Sequence, residues 1–338
     1  MNGFGLYKVS MKRIFAIAIG IGLSTSAWGY NSGSVSFNID NDGMLGFDQG
    51  YTNGVFFTFN SASTQSLAGT APIGISHAAM LLPFNQQTTQ GWGMAVGQKM
   101  WTPADITGSE EVENDRPYAG LLFVDTYLYE YSPYMSNRYN FMLGTVGPNA
   151  YAQESQKLVH EIVGSKEPMG WDNQIDNQLV FDVGYESHRP LIRERVLFDQ
   201  QIETAAIGRI HVGNFQSEAA IGGVARWGSG LNSSFGSVGF SPGNYVDISV
   251  LSSSRSGYFV FVGAEGRYRY NDITIDGDRE SGQYSVDIEH WQATGVAGIV
   301  FYQANWGVSL SVAMNSPEFE QDTNASSSLG SFELFWRL

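Results

Sequence analysis

The sequence SVSFNIDNDGMLGFDQGYTNGVFFT, residues 34–58, consists of two segments with alternating apolar and polar side chains and a polar turn between them. Alternation with a period of two predicts a β-strand with one apolar face, so we expect a strand, a turn and a second strand. The turn region carries Asp40, Asn41, Asp42 and Asp48, more acidic and amide groups than a hairpin turn requires. Two interpretations remain open here: an ordinary turn, or a cation site at one end of a larger sheet.

The same alternation recurs along the chain in segments of about ten residues. In one of them Leu179, Phe181 and Val183 alternate with Asp182 and Gly184. The apolar positions are rich in aromatic residues, whereas the polar positions carry charges of both signs. A soluble β-sandwich could also alternate, but its polar face would meet water. The pattern favours a lipid-facing wall around an interior closed by ion pairs.

We therefore predict an all-β fold, a transmembrane antiparallel β-barrel of twelve strands with a short helix in an extracellular loop. With the N-terminus on the periplasmic side, the connections after strands one, three and five lie together on the outer rim. The predicted strands lie near residues 34–41, 51–61, 91–100, 118–131, 137–147, 178–189, 197–212, 215–228, 258–270, 288–302, 305–315 and 329–338.

Composition narrows the class of protein further. The chain has 338 residues, no cysteine and a formal net charge of -15. It lacks a run of roughly 20 apolar residues, which argues against a helical membrane protein. Its acidic balance argues against a nucleic-acid partner, because a surface that binds phosphates should be basic. The absence of cysteine excludes a disulfide framework.

The N-terminal region has the features of an export signal. Lys12 and Arg13 precede an apolar run that ends in small residues, a pattern read by signal peptidase. We predict a signal peptide over residues 1–29 and one barrel domain over residues 30–338. Met11 begins a more typical signal peptide than the first residue does.

The connection after the third predicted strand contains Arg116 and Tyr118. An arginine followed by proline could anchor a phosphate or a carboxylate, because the planar guanidinium group donates two hydrogen bonds at once. The alternative is that Arg116 forms an ion pair at the rim with Asp115 or Asp105.

The connection after the fifth predicted strand is too long to lack structure of its own. Residues 150–163 contain neither glycine nor proline, so we predict a short helix there. Gln156 and His160 are four residues apart and share one face of it. Apolar residues of this helix are expected to pack it on the barrel: Leu158, Val159, Ile162 and Val163.

These groups are the components of a metal-assisted ester hydrolase. Ca²⁺ prefers oxygen ligands, which Asp42, the Asn41 amide and backbone carbonyls could provide. Such a cation would stabilise a developing oxyanion while neutral His160 takes a proton from water. Serine-nucleophile chemistry has less support, because the sequence contains no G-x-S-x-G motif.

Several short motifs follow one another in order along the first half of the mature chain. They are Asn41-Asp42, Tyr51-Thr52-Asn53-Gly54, Trp101-Thr102-Pro103, Asp115-Arg116-Pro117-Tyr118-Ala119-Gly120, Gly144 to Gly147 with Pro148, Gln156 with His160, and Gly170-Trp171-Asp172-Asn173-Gln174. This series resembles the LpxR family of outer-membrane lipid A deacylases. The resemblance implies a twelve-stranded barrel that removes the 3'-linked acyloxyacyl chain from lipid A in a Ca²⁺-dependent reaction.

The resemblance also assigns roles to residues. Arg116 falls in a loop that meets the phosphate or sugar of lipid A, with Tyr118 beside it, and Asp115 stands where the family has a second basic residue. His160 corresponds to the general base. The residues on family active-site positions are Asn41, Asp42, Thr52, Gln156 and His160, of which Asp42 and Asn41 are the expected Ca²⁺ ligands.

We thus expect a monomeric, Ca²⁺-dependent lipid A deacylase in the bacterial outer membrane, with lipopolysaccharide as substrate and a site facing the outer leaflet. Two other functions fit the same pattern. One is a barrel phospholipase acting on other outer-leaflet lipids. The other is a structural or channel barrel without catalysis.

Overall fold

Twelve antiparallel strands close into a barrel in the computed structural model of this chain. The predicted signal peptide and Asp48 lie outside the described residues. The structure describes residues 33–45, 50–196, 198, 200–253, 255–279 and 284–338.

Each predicted strand corresponds to one barrel strand, and the order around the barrel is β1-β14-β13-β12-β11-β8-β7-β6-β5-β4-β3-β2. The short strands β9 and β10 form a separate hairpin. The strands are β1 Ser34–Asn41, β2 Gly50–Asn60, β3 Thr89–Thr102, β4 Ala119–Ser132, β5 Met135–Val146, β6 Gln178–Arg195, β7 Gln201–Gly213, β8 Gln216–Ser229, β9 Val238–Ser241, β10 Asn244–Val246, β11 Gly257–Asp272, β12 Trp291–Tyr302, β13 Trp306–Asn315 and β14 Ser327–Arg337. The α-helices are α1 Ile73–Leu81, α2 Ala152–Val163 and α3 Ile273–Asp276.

The first and last strands close the barrel. β1 pairs with β14 in a continuous register from Ser34 opposite Arg337 to Asn41 opposite Gly330. Closure leaves no unpaired strand edge, which a barrel in lipid requires. Within the described residues, no helix has both the length and the apolar character needed to cross a membrane.

The two faces of the wall differ as the alternation predicts. Inside, the Arg209 Nη2 atom lies 2.6 Å from Glu265 Oε1, and Arg269 Nη2 lies 2.7 Å from Glu218 Oε2. Paired charges of this kind avoid the cost of a buried, uncompensated ion. Exposed apolar side chains on the outer face include Leu143, Leu179, Val183, Val212, Ile221, Val262, Leu310 and Met314.

A segment that sequence analysis did not predict fills the lumen. Residues 230–253, between β8 and β11, fold back into the barrel and include the β9–β10 hairpin. At its tip the Gly243 backbone N–H donates a 2.7 Å hydrogen bond to Asp40 Oδ2. Gly243 has a φ of 81°, and a Cβ there would lie 2.6 Å from the Phe56 ring, so only glycine fits. A cavity of about 200 Å³ remains beside this plug.

Strand direction places the connections on two rims. The connections after β1, β3 and β5 lie at one end of the barrel, together with α3 and the β13–β14 connection. We call this end the outer rim. Helix α1, in the connection between β2 and β3, lies at the opposite end. The predicted convergence of the three motif-bearing connections on one rim is therefore confirmed.

Candidate active site

The first part of the site is the outer end of the β1–β2 hairpin. Asp40 faces the lumen, where it binds the plug, so the next residue, Asn41, faces outward. The Asn41 side-chain nitrogen donates a hydrogen bond of 3.5 Å to the Thr52 carbonyl. Asp42 then begins a 3-10 turn, and its carboxylate accepts a 2.7 Å hydrogen bond from the Gly43 N–H. The structure thus brings three predicted site residues, Asn41, Asp42 and Thr52, to the outer end of one hairpin.

A β-bulge determines where Thr52 points. Tyr51 pairs with Trp101 and Asn53 with Met100, so Thr52 is the extra residue in β2. Bulges turn a side chain out of the regular alternation and are common beside active sites. The Thr52 hydroxyl is buried and lies 2.7 Å from the Thr102 hydroxyl, with which it shares a hydrogen bond. Thr102 belongs to one of the sequence motifs, but the sequence pattern assigns it no role.

The second part of the site is the N-terminal half of α2, which docks on the outside of the wall. Gln98, on the outer face of β3, donates a 2.6 Å hydrogen bond to the Ala150 carbonyl just before the helix. Gly120 on β4 leaves room for the helix, because a Cβ there would lie 2.5 Å from the Ala152 Cβ. The predicted helix is therefore present, and its contact with the wall requires small side chains.

The expected packing of α2 through Leu158, Val159 and Ile162 is wrong, and the side chain of Val163 lies outside the described part of the chain. Leu158, Val159 and Ile162 are 44%, 45% and 75% exposed, and the helix contacts the wall through Ala152 and Gln156 instead. These side chains can be exposed because the helix lies beside a membrane-spanning wall, where apolar side chains can face lipid instead of a protein core. The exposed face of α2 is thus continuous with the apolar outer surface.

Trp171 joins α2 to the loop between β3 and β4. Its indole N–H donates a 2.7 Å hydrogen bond to Gln156 Oε1, and its ring lies 4.8 Å from the Tyr118 ring. A Cβ on Gly170 would lie 2.7 Å from Tyr118, so glycine allows this close approach. Trp171, Tyr118, Met100, Ile106 and Ala152 form one buried cluster on the outside of the wall.

The hydrogen bond to Trp171 also orients the Gln156 amide. An indole N–H can only donate, so the oxygen of the amide faces Trp171 and the nitrogen points elsewhere. The Gln156 Nε2 atom is buried and has no hydrogen-bond partner within the described part of the chain. A buried, unsatisfied donor costs about 1–3 kcal/mol, which a ligand that accepts a hydrogen bond would recover.

His160 follows Gln156 by one helical turn and is half-buried. Its Nδ1 atom lies 2.5 Å from the Lys166 carbonyl oxygen. A carbonyl can only accept, so Nδ1 carries a proton, and in the neutral imidazole the lone pair is then on Nε2. This is the tautomer that a general base needs.

The two parts of the site are connected through β3. Met100 lies opposite Asn53 in the β2–β3 ladder and packs in the same cluster as Ala152 and Trp171. The Asn41–Thr52 group and the Gln156–Trp171 group therefore flank one short stretch of the outer wall. Asp42 and His160 lie on the same rim of the barrel.

Arg116 lies on the other side of the wall from Tyr118. It is 2% exposed, stacks 5.8 Å from the Trp101 ring and pairs with Glu318 of the β13–β14 connection. Its Nη2 atom also donates a 2.9 Å hydrogen bond to Thr274 Oγ1 of α3. Arg116 thus ties three connections together across the barrel mouth. Its role in contacting substrate stays a prediction.

The expected alternative partners of Arg116 are wrong. Asp115 accepts 2.7 Å hydrogen bonds from the backbone N–H groups of Ala104 and Arg116, and Asp105 bonds to Thr107. Burial raises the pKa of Asp115. The pKa of Glu318 is lowered: burial would raise it, but the opposing charges of Arg116 and neighbouring arginines outweigh that effect.

The first turn of this site also offers oxygen ligands suited to Ca²⁺. The described residues contain no group of three or more His, Cys, Asp and Glu side chains that could hold a metal. Asp42 and the Asn41 amide are nonetheless adjacent, and a Cβ on Gly43 would lie 2.9 Å from Asn41 Oδ1. One carboxylate, an amide oxygen, backbone carbonyls and water form a donor set that Ca²⁺ accepts. These residues therefore fit the predicted cation.

The fold and the site together define an outer-membrane β-barrel with its candidate catalytic groups on the outside of the wall at the outer rim. A family model described as outer membrane protein LpxR matches residues 14–338. The chain therefore belongs to the LpxR outer membrane protein family, and its location is the bacterial outer membrane.

A solved structure shares this fold. The structure of LpxR from Salmonella typhimurium matches with a TM-score of 0.73 at 18% identity, covering 90% of this chain and 100% of that chain. The beta domain of the Bordetella autotransporter BrkA matches with a TM-score of 0.42 at 7% identity, covering 91% of this chain and 99% of that chain. No curated protein matches this sequence.

Proposed function

We propose that this protein is an outer-membrane lipid A deacylase that hydrolyses ester-linked acyl chains. Membership of the LpxR family supports this function. The observation that carries it is the position of the site: Gln156 is buried between α2 and the outer wall, while Leu158 and Ile162 on the same helix are exposed. A lipid substrate in the outer leaflet could reach such a site with its acyl chains still among other lipids.

His160 is the proposed general base. The Lys166 carbonyl holds the proton on Nδ1, which leaves Nε2 free to accept a proton from water. The water, thus activated, would attack the acyl carbonyl, the bond between the acyl carbon and the ester oxygen would break, and protonated His160 would return its proton to the departing alkoxide. General-base catalysis of this type typically contributes about 10²–10⁴-fold to the rate.

Gln156 is the proposed hydrogen-bond donor to the acyl carbonyl. Its oxygen is occupied by Trp171, whereas its buried nitrogen has no partner in the described structure. A donor fixed in this way would stabilise negative charge that develops on the carbonyl oxygen. Asn41 and Thr52 line the adjoining part of the wall and would position the ester.

Asp42 and Asn41 are the proposed ligands of Ca²⁺. When bound, the cation would supply positive charge that stabilises the developing oxyanion. Tyr118 packs on Trp171 and supports the Gln156 amide from behind.

Mass spectrometry of lipid A from cells that express the protein tests this function. The wild type is expected to release acyl chains from lipid A, and His160→Ala is expected to abolish release. His77→Ala is the matched control, because His77 is exposed on a helix at the opposite rim. Unchanged lipid A with the wild type would contradict the proposed substrate, and full activity of His160→Ala would contradict the proposed base.

One observation favours a second candidate, an outer-leaflet phospholipase. Arg116, the expected anchor for the lipid A phosphate, is buried and already paired with Glu318. Analysis of phospholipids in the same cells distinguishes the two: fatty-acid release from phospholipid with unchanged lipid A would identify a phospholipase. The filled lumen argues against a channel.

A further inference from the structure

The connection between β2 and β3 has an unusual composition. Charged residues make up 15% of the chain, yet residues 61–88 contain no Asp, Glu, Lys or Arg. Helix α1 lies within this connection, at the rim opposite the candidate active site. Soluble connections normally carry charges, so the absence of charge suggests contact with something other than water.

This connection packs against the outside of the barrel wall. Leu67 and Ala79 form a buried cluster with Leu128 of β4. Tyr127 and Tyr129, the strand neighbours of Leu128, pack together inside the barrel with Val250 of the plug, so Leu128 faces outward. The connection therefore covers the lipid-facing side of the wall near its periplasmic end.

The same connection covers a carboxylate on the wall. Glu130 is 1% exposed and accepts hydrogen bonds of 2.8 Å from both the Asn85 N–H and the Thr88 hydroxyl. It also accepts a 2.7 Å hydrogen bond from the Asn137 amide. A carboxylate at the edge of a membrane would be costly if it faced acyl chains, and this connection shields it.

The opposite face of α1 is mostly apolar, and its large apolar side chains have no protein partner in the described structure. Ile73, Met80 and Leu81 are 79%, 62% and 87% exposed. His77 is also exposed on this face, and Ser76 is the other polar residue of α1. A helix with so few polar residues is typical of a buried or membrane-embedded segment rather than of a helix at a water surface. The Phe84 ring, 5.7 Å from the Tyr139 ring of β5, continues this apolar surface toward the wall.

We propose that α1 is embedded in the periplasmic leaflet of the outer membrane, where Ile73, Met80 and Leu81 contact phospholipid acyl chains. The apolar surface of α1 is continuous with the lipid-facing wall on which the helix rests, so the same lipid covers both surfaces. Burial of apolar area in lipid is favourable, and α1 contains no Asp, Glu, Lys or Arg to oppose insertion, with His77 as its one ionisable side chain. This interface lies outside the candidate active site and does not depend on its chemistry.

Site-directed spin labelling tests the proposal directly, since the chain contains no cysteine to interfere. Single variants Ile73→Cys and Leu81→Cys of the full-length protein would be labelled and reconstituted in phospholipid bilayers. Val262→Cys on the lipid-facing wall and Glu110→Cys on an exposed outer loop are the matched controls. Heat-modifiable migration on gels would verify that each variant is folded.

The measured quantity is the accessibility of each label to oxygen, which concentrates in lipid, and to a water-soluble nickel chelate. We expect the α1 labels to match Val262→Cys, with high oxygen and low nickel accessibility. High nickel accessibility, as in Glu110→Cys, would place the helix in water and overturn the proposal. Low accessibility to both reagents would indicate a protein partner or a second copy and would overturn it equally.

Discussion

The Trp171 indole nitrogen donates a hydrogen bond of 2.7 Å to Gln156 Oε1, one helical turn before His160. This bond fixes the Gln156 amide, so that its nitrogen remains available for a ligand. The loop after α2 thus orients a side chain on the helix itself.

Trp171→Phe is expected to lower kcat for deacylation by about tenfold, because one hydrogen bond contributes about 1–1.5 kcal/mol. A smaller aromatic ring remains, so the cluster with Tyr118 should persist and KM should change little. Kinetics with purified protein and lipid A measure both constants. Trp336→Phe, on the lipid-facing side of β14, is the control. A kcat equal to that of the wild type would exclude a positioning role for the indole.

Gly120→Ala is expected to displace α2 from the wall, because the new Cβ would lie 2.5 Å from the Ala152 Cβ. A displacement of about 1 Å can cost about 100-fold in rate, while the barrel should still fold. The double variant Gly120→Ala with Ala152→Gly removes the clash and should recover activity. Gly295→Ala, where nothing lies within 4 Å, is the control. Deacylation assays decide between these outcomes.

Glu318→Gln is expected to loosen the outer rim, because Arg116 would keep its buried charge without a carboxylate partner. Loss of one partner of a buried pair costs about 3 kcal/mol. Thermal unfolding and protease sensitivity of the outer loops measure the effect, with exposed Glu320→Gln as control. Unchanged unfolding would show that the pair contributes little.

The ion pair between Arg116 and Glu318 also predicts that the stability of the folded protein depends on pH. The pKa of Glu318 is lowered in the folded protein, so its stabilisation is present above the ordinary glutamate pKa and is lost as pH falls through the lowered value. The difference in Tm between the wild type and Glu318→Gln should therefore shrink under acidic conditions. A difference that stays constant from neutral to strongly acidic pH would contradict this assignment.

Chelation is expected to abolish activity, and added Ca²⁺ is expected to restore it. Asp42→Asn should weaken binding of a luminescent lanthanide that substitutes for Ca²⁺, because it removes the carboxylate from the proposed ligands. Asp105→Asn, an exposed aspartate on the same rim, is the control and should bind normally. Equal lanthanide binding by both variants would exclude Asp42 as a ligand, whatever their activity.

Most of the fold could be predicted from the sequence, because each barrel strand presents one face to lipid and the other to the lumen. That constraint repeats every second residue, so alternation revealed both the strands and, by their count, the rim on which each connection lies. The plug could not be predicted in this way. Residues 230–253 are surrounded by the barrel on all sides, so no two-residue period marks them.

The sequence by itself determined the barrel, its closure and the rim that carries Asp42, Gln156 and His160. Only the tertiary structure decided where their side chains point. The bulge at Thr52, the docking of α2 through small residues and the pairing of Arg116 with Glu318 depend on contacts between segments far apart in the chain. The two-residue period of a strand indicates whether each residue faces lipid or the lumen. The contacts between distant segments depend instead on the shapes and charges of partners that the local sequence does not contain.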